Sequence, residues 1–369
     1  MKSYKFILPV LAFGALATSC DDIETVQEQG HDIVSATTYA ELYYQNLREY
    51  KETDHEIAFG WFSKYGGEVS MANRFAGLPD SMDLISLWGG IPTNPIDLAE
   101  MRECQTKKGI KFMPVDICRI NKADNQEAFK QHWLQIKDQE EAGTLTGDAL
   151  QAAEYEVMRE YGLYCVDLVF NNDLDGFDID FEPEGDPVDG DNFYQLFMEM
   201  AKYLGPNPEI TKEERYALIE ARYGTAVAQK KGSCDKYLCI DAYGQDPSTS
   251  DTMDPDNGKY AYADYINYFL SQDYNGMISR SRYPAEKVVH TVSVGEHWSD
   301  NPATTSNAVG DYYTKKGLLY TYASYKPASG KKGGFGGFII NDDYTITNLN
   351  PYPYARLRDC IQICNPAIY

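Results

Sequence analysis

The stretch "DGFDIDFEPEG", residues 175–185, sets five acidic side chains among eleven positions and interleaves three of them with Phe177, Ile179 and Phe181. Side chains along a β-strand point to opposite faces in turn. Phe177, Ile179 and Phe181 therefore share one face, and Asp178, Asp180 and Glu182 share the other. A solvated acidic turn has no use for a regular apolar face, and calcium loops are oxygen- and glycine-rich without one. The pattern fits a strand covered on both sides, with hydrocarbon behind and a row of carboxyls in front, neighbours ~6.5 Å apart along the strand. Carboxyls crowded in a low-dielectric interior cannot all ionise cheaply, so at least one is held protonated towards neutral pH, as a general acid must be.

Working outward, seven further apolar runs read as strands: 56–62, 82–88, 110–118, 236–244, 264–270, 287–294 and 333–341, with the acidic strand at 176–182. Helical spacing appears between them at 125–141, 147–170, 191–205 and 212–224. Near-continuous apolar strands alternating with helices mean a parallel sheet covered by helices. Eight strands in this length fit a single (β/α)8 TIM barrel of the α/β class, with catalytic groups at the C-terminal ends of its strands. A doubly wound open sheet is the alternative, and the lack of a glycine-rich phosphate loop after the first strand weakens it. No repeat or linker divides residues 53–369, which read as one catalytic barrel.

The acids of this strand resemble the D-x-x-D-x-D-x-E signature of glycoside hydrolase family 18, the chitinases and endo-β-N-acetylglucosaminidases, through Asp175, Asp178, Asp180 and Glu182. The resemblance implies substrate-assisted retaining hydrolysis, in which the acetamido group of the sugar replaces an enzyme nucleophile. It implies that Glu182 protonates the departing oxygen and then activates water. Asp180 would orient the acetamide and stabilise the oxazolinium intermediate, and Asp178 would share a proton with Asp180. Asp175 would cap the start of the strand.

A second motif, "FLSQDYN" at 269–275, is expected just beyond the sixth strand. Chitinases of the family read Met-x-Tyr-Asp there. Gln272, Tyr274 and Asn275 resemble instead the branch that cleaves the chitobiose core of N-linked glycans. By that resemblance Tyr274 is catalytic, bonding the acetamide oxygen, and Gln272 and Asn275 are substrate-binding. The eighth strand, "GGFGGFIINDD", lacks the tryptophan that floors the sugar site in chitinases, and offers Phe335, Phe338 and Asn341. Trp61, Trp88 and Trp298, near strand ends, are candidates for the missing platform, each with core packing as the plainer reading; Trp61, Trp298 and Asn341 are taken as substrate-binding. His297 reads as a buried, hydrogen-bonded histidine. The segments 67–81, 118–126 and 244–263 follow strands one, three and five and should wall the cleft.

Composition bounds the partners. A formal charge of −23 argues against nucleic acid and anionic lipid. The excess of 30 Tyr over 15 Phe and 4 Trp suits surfaces that stack on sugars, and also ordinary cores. Residues 1–19 carry Lys2 and Lys5 and then an apolar run from Phe6 to Leu16, which reads as a secretory signal. "LATSC" resembles a lipobox that would make Cys20 the lipidated first residue of the mature chain, and "DDIE" after it resembles the export signal of Bacteroidetes surface lipoproteins; a soluble secreted protein is the alternative. Residues 20–52 then comprise the lipidated cysteine, a tether, and a leading helix at 37–51 capped by Thr37 or Thr38. The expected location is the outer membrane, facing outward, held only through the lipid. Partner proteins would be those of a surface glycan-uptake system. The remaining cysteines read as buried thiols, since none has the histidines of a zinc site; neither metal nor cofactor is expected. The sequence thus points to an endo-β-N-acetylglucosaminidase acting on N-linked glycans, with a chitinase or a non-catalytic surface glycan-binding barrel as alternatives.

Overall fold

The structure is a computed structural model that describes residues 36–248, 262–300 and 308–366. Contacts divide the chain into two units, residues 1–53 and 54–369. In the first, helix α1 spans Ala36–Lys51, with Arg48 and Lys51 in its last turn, where positive charge suits the helix dipole. Thr37 and Thr38 lie within its first turn, so neither is its cap. Cys20 and the signal lie outside the described residues.

The second unit is a closed barrel of eight parallel strands in sequence order. They are β1 (Ile57–Phe62), β2 (Leu84–Leu87), β3 (Lys111–Ile117), β4 (Gly176–Asp180), β5 (Tyr237–Ala242), β6 (Tyr268–Gln272), β7 (Val288–Ser293) and β8 (Gly334–Phe338), and β8 pairs back to β1. Outside them run α2 (Pro95–Glu103), α3 (Ala128–Glu141), α4 (Gly147–Asn171), α5 (Gly190–Ala201), α6 (Lys212–Tyr223), α7 (Thr225–Ala228), α8 (Val294–His297), α9 (Leu318–Ser324) and α10 (Ala355–Cys364). The expected (β/α)8 architecture is present.

One strand sits elsewhere than its apolar pattern suggests. Residues 262–265 form a turn, and β6 begins at Tyr268, four residues later than expected. Asn267 sets the start by bonding Leu238 twice: its N–H donates to the Leu238 carbonyl at 2.8 Å, and its Oδ1 accepts from Leu238 N at 3.0 Å. Gln272 is consequently the last residue of the strand itself rather than part of the following loop.

Strand alternation sorts the core into two compartments. Outward residues such as Phe177, Ile179, Phe269 and Phe335 join the large core beneath the helices. Inward residues Ile57, Phe59, Leu84, Met113, Cys239, Leu270 and Val289 plug the lower barrel. A barrel of this size has room only for such layers. Bulky Ile57 and Phe59 fit because β8 presents Gly334 and Gly336 beside them: a Cβ on Gly336 would stand 2.5 Å from the Phe59 carbonyl oxygen and 2.9 Å from its ring. That carbonyl belongs to the strand ladder and cannot step aside. Gly336→Ala should therefore destabilise the protein by about 1–3 kcal/mol, measured by urea denaturation; an unchanged midpoint would show that the barrel is looser here than its spacing indicates.

Candidate active site

β4 carries Asp178 and Asp180 into the barrel, both buried. The register sets Asp180 opposite Asp241 of β5 and Ile117 of β3, and Asp178 opposite Cys239 and Val115. Pairing runs one residue beyond the strand, since Phe181 N donates to the Asp241 carbonyl at 2.8 Å. That extension keeps the alternation in step. Glu182 stands at the rim beyond Asp180, with its side chain 30 % exposed. On the outer face Phe181 tilts against Phe193 of α5, ring centres 4.7 Å apart. Burying three such side chains contributes about 1.5–3 kcal/mol each, which offsets part of the cost of the acids behind them.

Donors around these acids are few. Asp178 Oδ2 accepts from Trp61 Nε1 at 3.1 Å and from the Ser86 hydroxyl. Gln272 Nε2 donates to Asp241 Oδ1 at 2.5 Å and reaches Asp180 Oδ1 at 3.4 Å. Asp178 Oδ1 and Asp241 Oδ2 find no donor in the protein. Burial pushes the Asp178 carboxyl up to about 7, against the pull of its bonds from Ser86 and Trp61 and of the neighbouring Asp241 carboxyl. Burial, followed by the charges of Glu182 and Asp178, pushes Asp180 up to about 8. Asp241 is driven well above the carboxylate range by burial and by the Asp180 and Asp178 charges.

Rings close over the acids. Tyr274, in the turn after β6, stacks at 6.0 Å on Phe338 from the end of β8 and at 6.3 Å on Tyr243. Phe338 also meets Trp88 edge-on at 5.1 Å and Trp61 at 6.2 Å. Burial and the charges of Asp241, Asp180, Glu182 and Asp178 raise the Tyr274 hydroxyl, so it remains a donor. The turn bearing Tyr274 is tied from behind. Buried Asp273 accepts from Ser271 Oγ at 2.5 Å and Ile278 N at 3.2 Å, and contacts His290 Nδ1 at 2.5 Å. Arg280 Nε donates to the same serine at 2.8 Å.

Several residues expected at the cleft take other positions. Trp61 is 1 % exposed and its N–H is committed to Asp178, so its face is closed to a sugar; it supports an acid instead of offering a platform. Asn341 is 2 % exposed and fully engaged: its amide donates to Ser63 O, Ala72 O and Asn73 Oδ1, and its Oδ1 accepts from Ser63 N. It fastens the end of β8 to the segment after β1 and has nothing left for a substrate. Trp298 packs against the outer core, its carbonyl accepting from Arg356 at 2.7 Å, away from the acids. Asn275 is exposed and bonds the Tyr243 hydroxyl at 3.3 Å. Gln272 spends its amide on Asp241 and Asp180. His297 contacts Asp300 at 2.8 Å. Asp175 lies below the site, where its Oδ2 accepts from Phe112 N and Gln105 at the start of β3 and β4.

Three residues of the site escaped the sequence reading. Asp241 and Ser86 are single polar residues at inward positions of apolar strands, and the alternation of "YLCIDA" and "LISL" carries that signal. Arg119 follows β3 and contacts Glu182 at 3.4 Å and Glu184 at 3.0 Å, while its Nε donates to the Glu182 carbonyl at 2.5 Å. Asp186 places it by accepting from Ile120 N and Asn121 N. Of the expected cleft walls, 67–81 and 118–126 are described, and residues 249–261 of the third lie outside the described residues. Among the described residues no His, Cys, Asp and Glu side chains converge as a metal site would require. The seven described cysteines are buried and unpaired.

An acid at the strand-four rim of a (β/α)8 barrel, above a stack of buried carboxyls whose burial favours their protonated forms, defines a glycosidase site. The chain belongs to glycoside hydrolase family 18: the family description "Glycoside hydrolase family 18, BT1044-like" matches residues 21–363. Endo-beta-N-acetylglucosaminidase F2 of Elizabethkingia meningoseptica is 23% identical over 354 residues, 90% of this chain and 88% of the relative. A solved structure of BT1044 covers 91% of this chain and 95% of its own at 21% identity and a TM-score of 0.56. An apo endo-beta-N-acetylglucosaminidase from Cordyceps militaris covers 88% and 95% at 20% identity and a TM-score of 0.52. These two structural likenesses bear on the fold.

The raised carboxyls make stability pH-dependent. An unfolded Asp loses its proton near 3.8, whereas the folded chain holds the Asp178 and Asp180 protons up to about 7 and 8. Across that window the folded state binds more protons, so stability is complete below the lower value and declines as pH rises through the upper ones. Asp180→Asn cannot ionise. Its melting temperature relative to wild type should rise by at least about 2 °C from about pH 5 to about pH 8, read by thermal scans; a constant difference would mean that Asp180 ionises in the folded state as it does in water.

Proposed function

We propose that this protein is an endo-β-N-acetylglucosaminidase that hydrolyses the β-1,4 bond between the two core N-acetylglucosamines of N-linked glycans, leaving one on the protein. The observation that carries this reading is the vertical order of the site: Glu182 at the rim, buried Asp180 beneath it, and the Tyr274 ring stacked on Phe338 over the same acids. Two-carboxylate glycosidases place a second carboxylate across the scissile bond as nucleophile or base, whereas substrate-assisted enzymes let the sugar acetamide attack its own anomeric carbon. The acids here rise from one strand and its neighbour, on one side of the mouth, which suits the second scheme.

Tyr274 donates to the acetamide oxygen, turning it towards the anomeric carbon. Glu182 gives its proton to the leaving oxygen as the bond to carbon breaks. Positive charge then develops on the oxazolinium ring as the one proton shared by the pair passes from Asp180 to Asp178, so that Asp180 faces the ring as a carboxylate; the proton returns to Asp180 when the ring opens. Glu182, now ionised, takes a proton from the water that opens the ring, which restores the starting state with the anomeric configuration retained. Phe338 and Trp88 form the apolar floor that the family's usual tryptophan would supply. The name of the Elizabethkingia relative, together with Gln272-x-Tyr274 in place of Met-x-Tyr-Asp, supports a glycan-core substrate over chitin.

Glu182→Gln should lower kcat by about 10²–10⁴-fold and leave KM within about threefold, because proton transfer is lost and binding is not. Normal turnover by that variant would remove Glu182 from the mechanism. Mass spectrometry of glycans released from ribonuclease B and immunoglobulin G reads the substrate. Cleavage of chitooligosaccharides without release from either glycoprotein would overturn the glycan-core reading, and insensitivity to thiazoline analogues would overturn participation of the acetamide.

We propose further that the chain is exported and held by a lipid on Cys20, facing outward beside partners of a glycan-uptake system. The run Phe6–Leu16 followed by "LATSC" and "DDIE" supports this. Cys20→Ala should move the protein from the membrane to the soluble fraction on cell fractionation; retention in the membrane would rule out the lipid as the anchor.

A further inference from the structure

We infer that Asp241 is a third member of the proton-sharing carboxyl cluster, a positioning residue that stays neutral and donates its own proton to Asp180. The inference rests on the proposed hydrolysis only for its consequence, since the arrangement itself is read from β5. Asp241 is fully buried, faces the interior and is paired in register with Asp180. Its two oxygens live in different surroundings. Oδ1 accepts from Gln272 Nε2 at 2.5 Å, as a carbonyl oxygen would. Oδ2 has no donor, and the charges nearest to Asp241 are those of Asp180, its register partner, and Asp178, both of which raise its carboxyl further. Ionised, Asp241 would bury an unsatisfied charged oxygen among like charges, a strongly unfavourable state. A proton on Oδ2 converts that orphan acceptor into a donor, and Asp180, the register partner of Asp241, is the acid it would serve.

Among the described residues that face Asp241, Gln272 donates to Oδ1 and none donates to Oδ2. From β4 come Asp178 and Asp180, and from β6 and its turn come Gln272 and Tyr274. Cys239 precedes it on its own strand. Glu182 stands at the rim with Arg119, whose guanidinium is spent on Glu182 and Glu184. Gln272 leans on Asp241 far more closely than on Asp180, at 2.5 against 3.4 Å, so Asp180 depends on a second donor.

For hydrolysis the consequence is specific. Asp180 has to bear negative charge opposite the oxazolinium while enclosed beside another acid. A neutral donor on its β5 side stabilises that charge without adding one, and fixes the carboxyl in plane below the substrate. The Asp241 proton is shared throughout and not transferred; the titrating proton belongs to the Asp178–Asp180 pair.

Asp241→Leu and Asp241→Asn separate this role from simple packing. The leucine variant should lose about 30–300-fold in kcat with KM within about twofold, and the acidic limb of its pH–rate profile should rise by about one unit as Asp180 loses its donor. Asparagine keeps the pattern, accepting from Gln272 through Oδ1 and donating to Asp180 through Nδ2. It should recover at least about tenfold of the loss and return the limb towards wild type. Wild-type turnover by Asp241→Leu would overturn the inference. So would an acidic limb in Asp241→Asn displaced well below wild type, the mark of a removed charge. Infrared difference spectra of wild type against Asp241→Asn, neither of which needs to turn over, provide an independent reading: one carbonyl band of a protonated carboxylic acid should be missing from the variant at neutral pH. Its loss in a protein that releases no glycan would sink the hydrolase reading and sustain Asp241. No such loss in an active enzyme would sink Asp241 alone.

Discussion

Four carboxyl groups share the mouth of one barrel, and the protein supplies too few donors to ionise them all. Trp61 and Ser86 serve one oxygen of Asp178, Gln272 is divided between Asp180 and Asp241, and Arg119 reaches only the rim. The shortage is the central constraint. It obliges the acids to hold protons at pH values where an exposed carboxyl would have lost them, and those retained protons suit the site to acid chemistry. A better-solvated cluster would cost less stability and do less.

The surrounding fold serves that constraint at several levels. The outer face of β4 is hydrocarbon packed under α4 and α5, so the strand cannot turn its acids outward. The lower barrel is closed by Phe59, Met113, Leu270 and their neighbours, which keeps water from reaching the acids from below. The buried Asp273–His290 contact, with Ser271 and Arg280, stiffens the turn that holds Tyr274 over the cluster. Asn341 joins the end of β8, and with it Phe338, to the wall after β1. Each is a structural device remote from the reacting atoms that fixes where an acid or a ring can be.

Much of this was legible in the residues. Period-two alternation across 176–182 marks a strand with an acid row because a strand has no other way to segregate its side chains, and eight apolar runs alternating with helical spacing implied the barrel. What failed to show followed from a different kind of information. Asp241 and Ser86 look like incidental polar residues in "LCIDA" and "LISL" until the neighbouring strands fix which face is inward. Arg119 depends on Asp186 to shape the loop that carries it, a contact between segments far apart in the chain. Trp61 and Asn341 were misplaced because position near a strand end says nothing about whether a polar group serves the backbone, another side chain or a ligand. The start of β6 was misjudged because Ile266 is apolar and buried yet lies before the strand, where Asn267 sets the ladder.

The hydrocarbon plug below Asp178 has one more effect. With the lower barrel dry, the cluster communicates with solvent in one direction only, through the mouth that a bound glycan occupies. In the proposed hydrolysis the hydrogen ion given to the departing saccharide is made good by the one released from the incoming water molecule, so the apolar plug leaves the mouth as the single side from which that exchange is supplied.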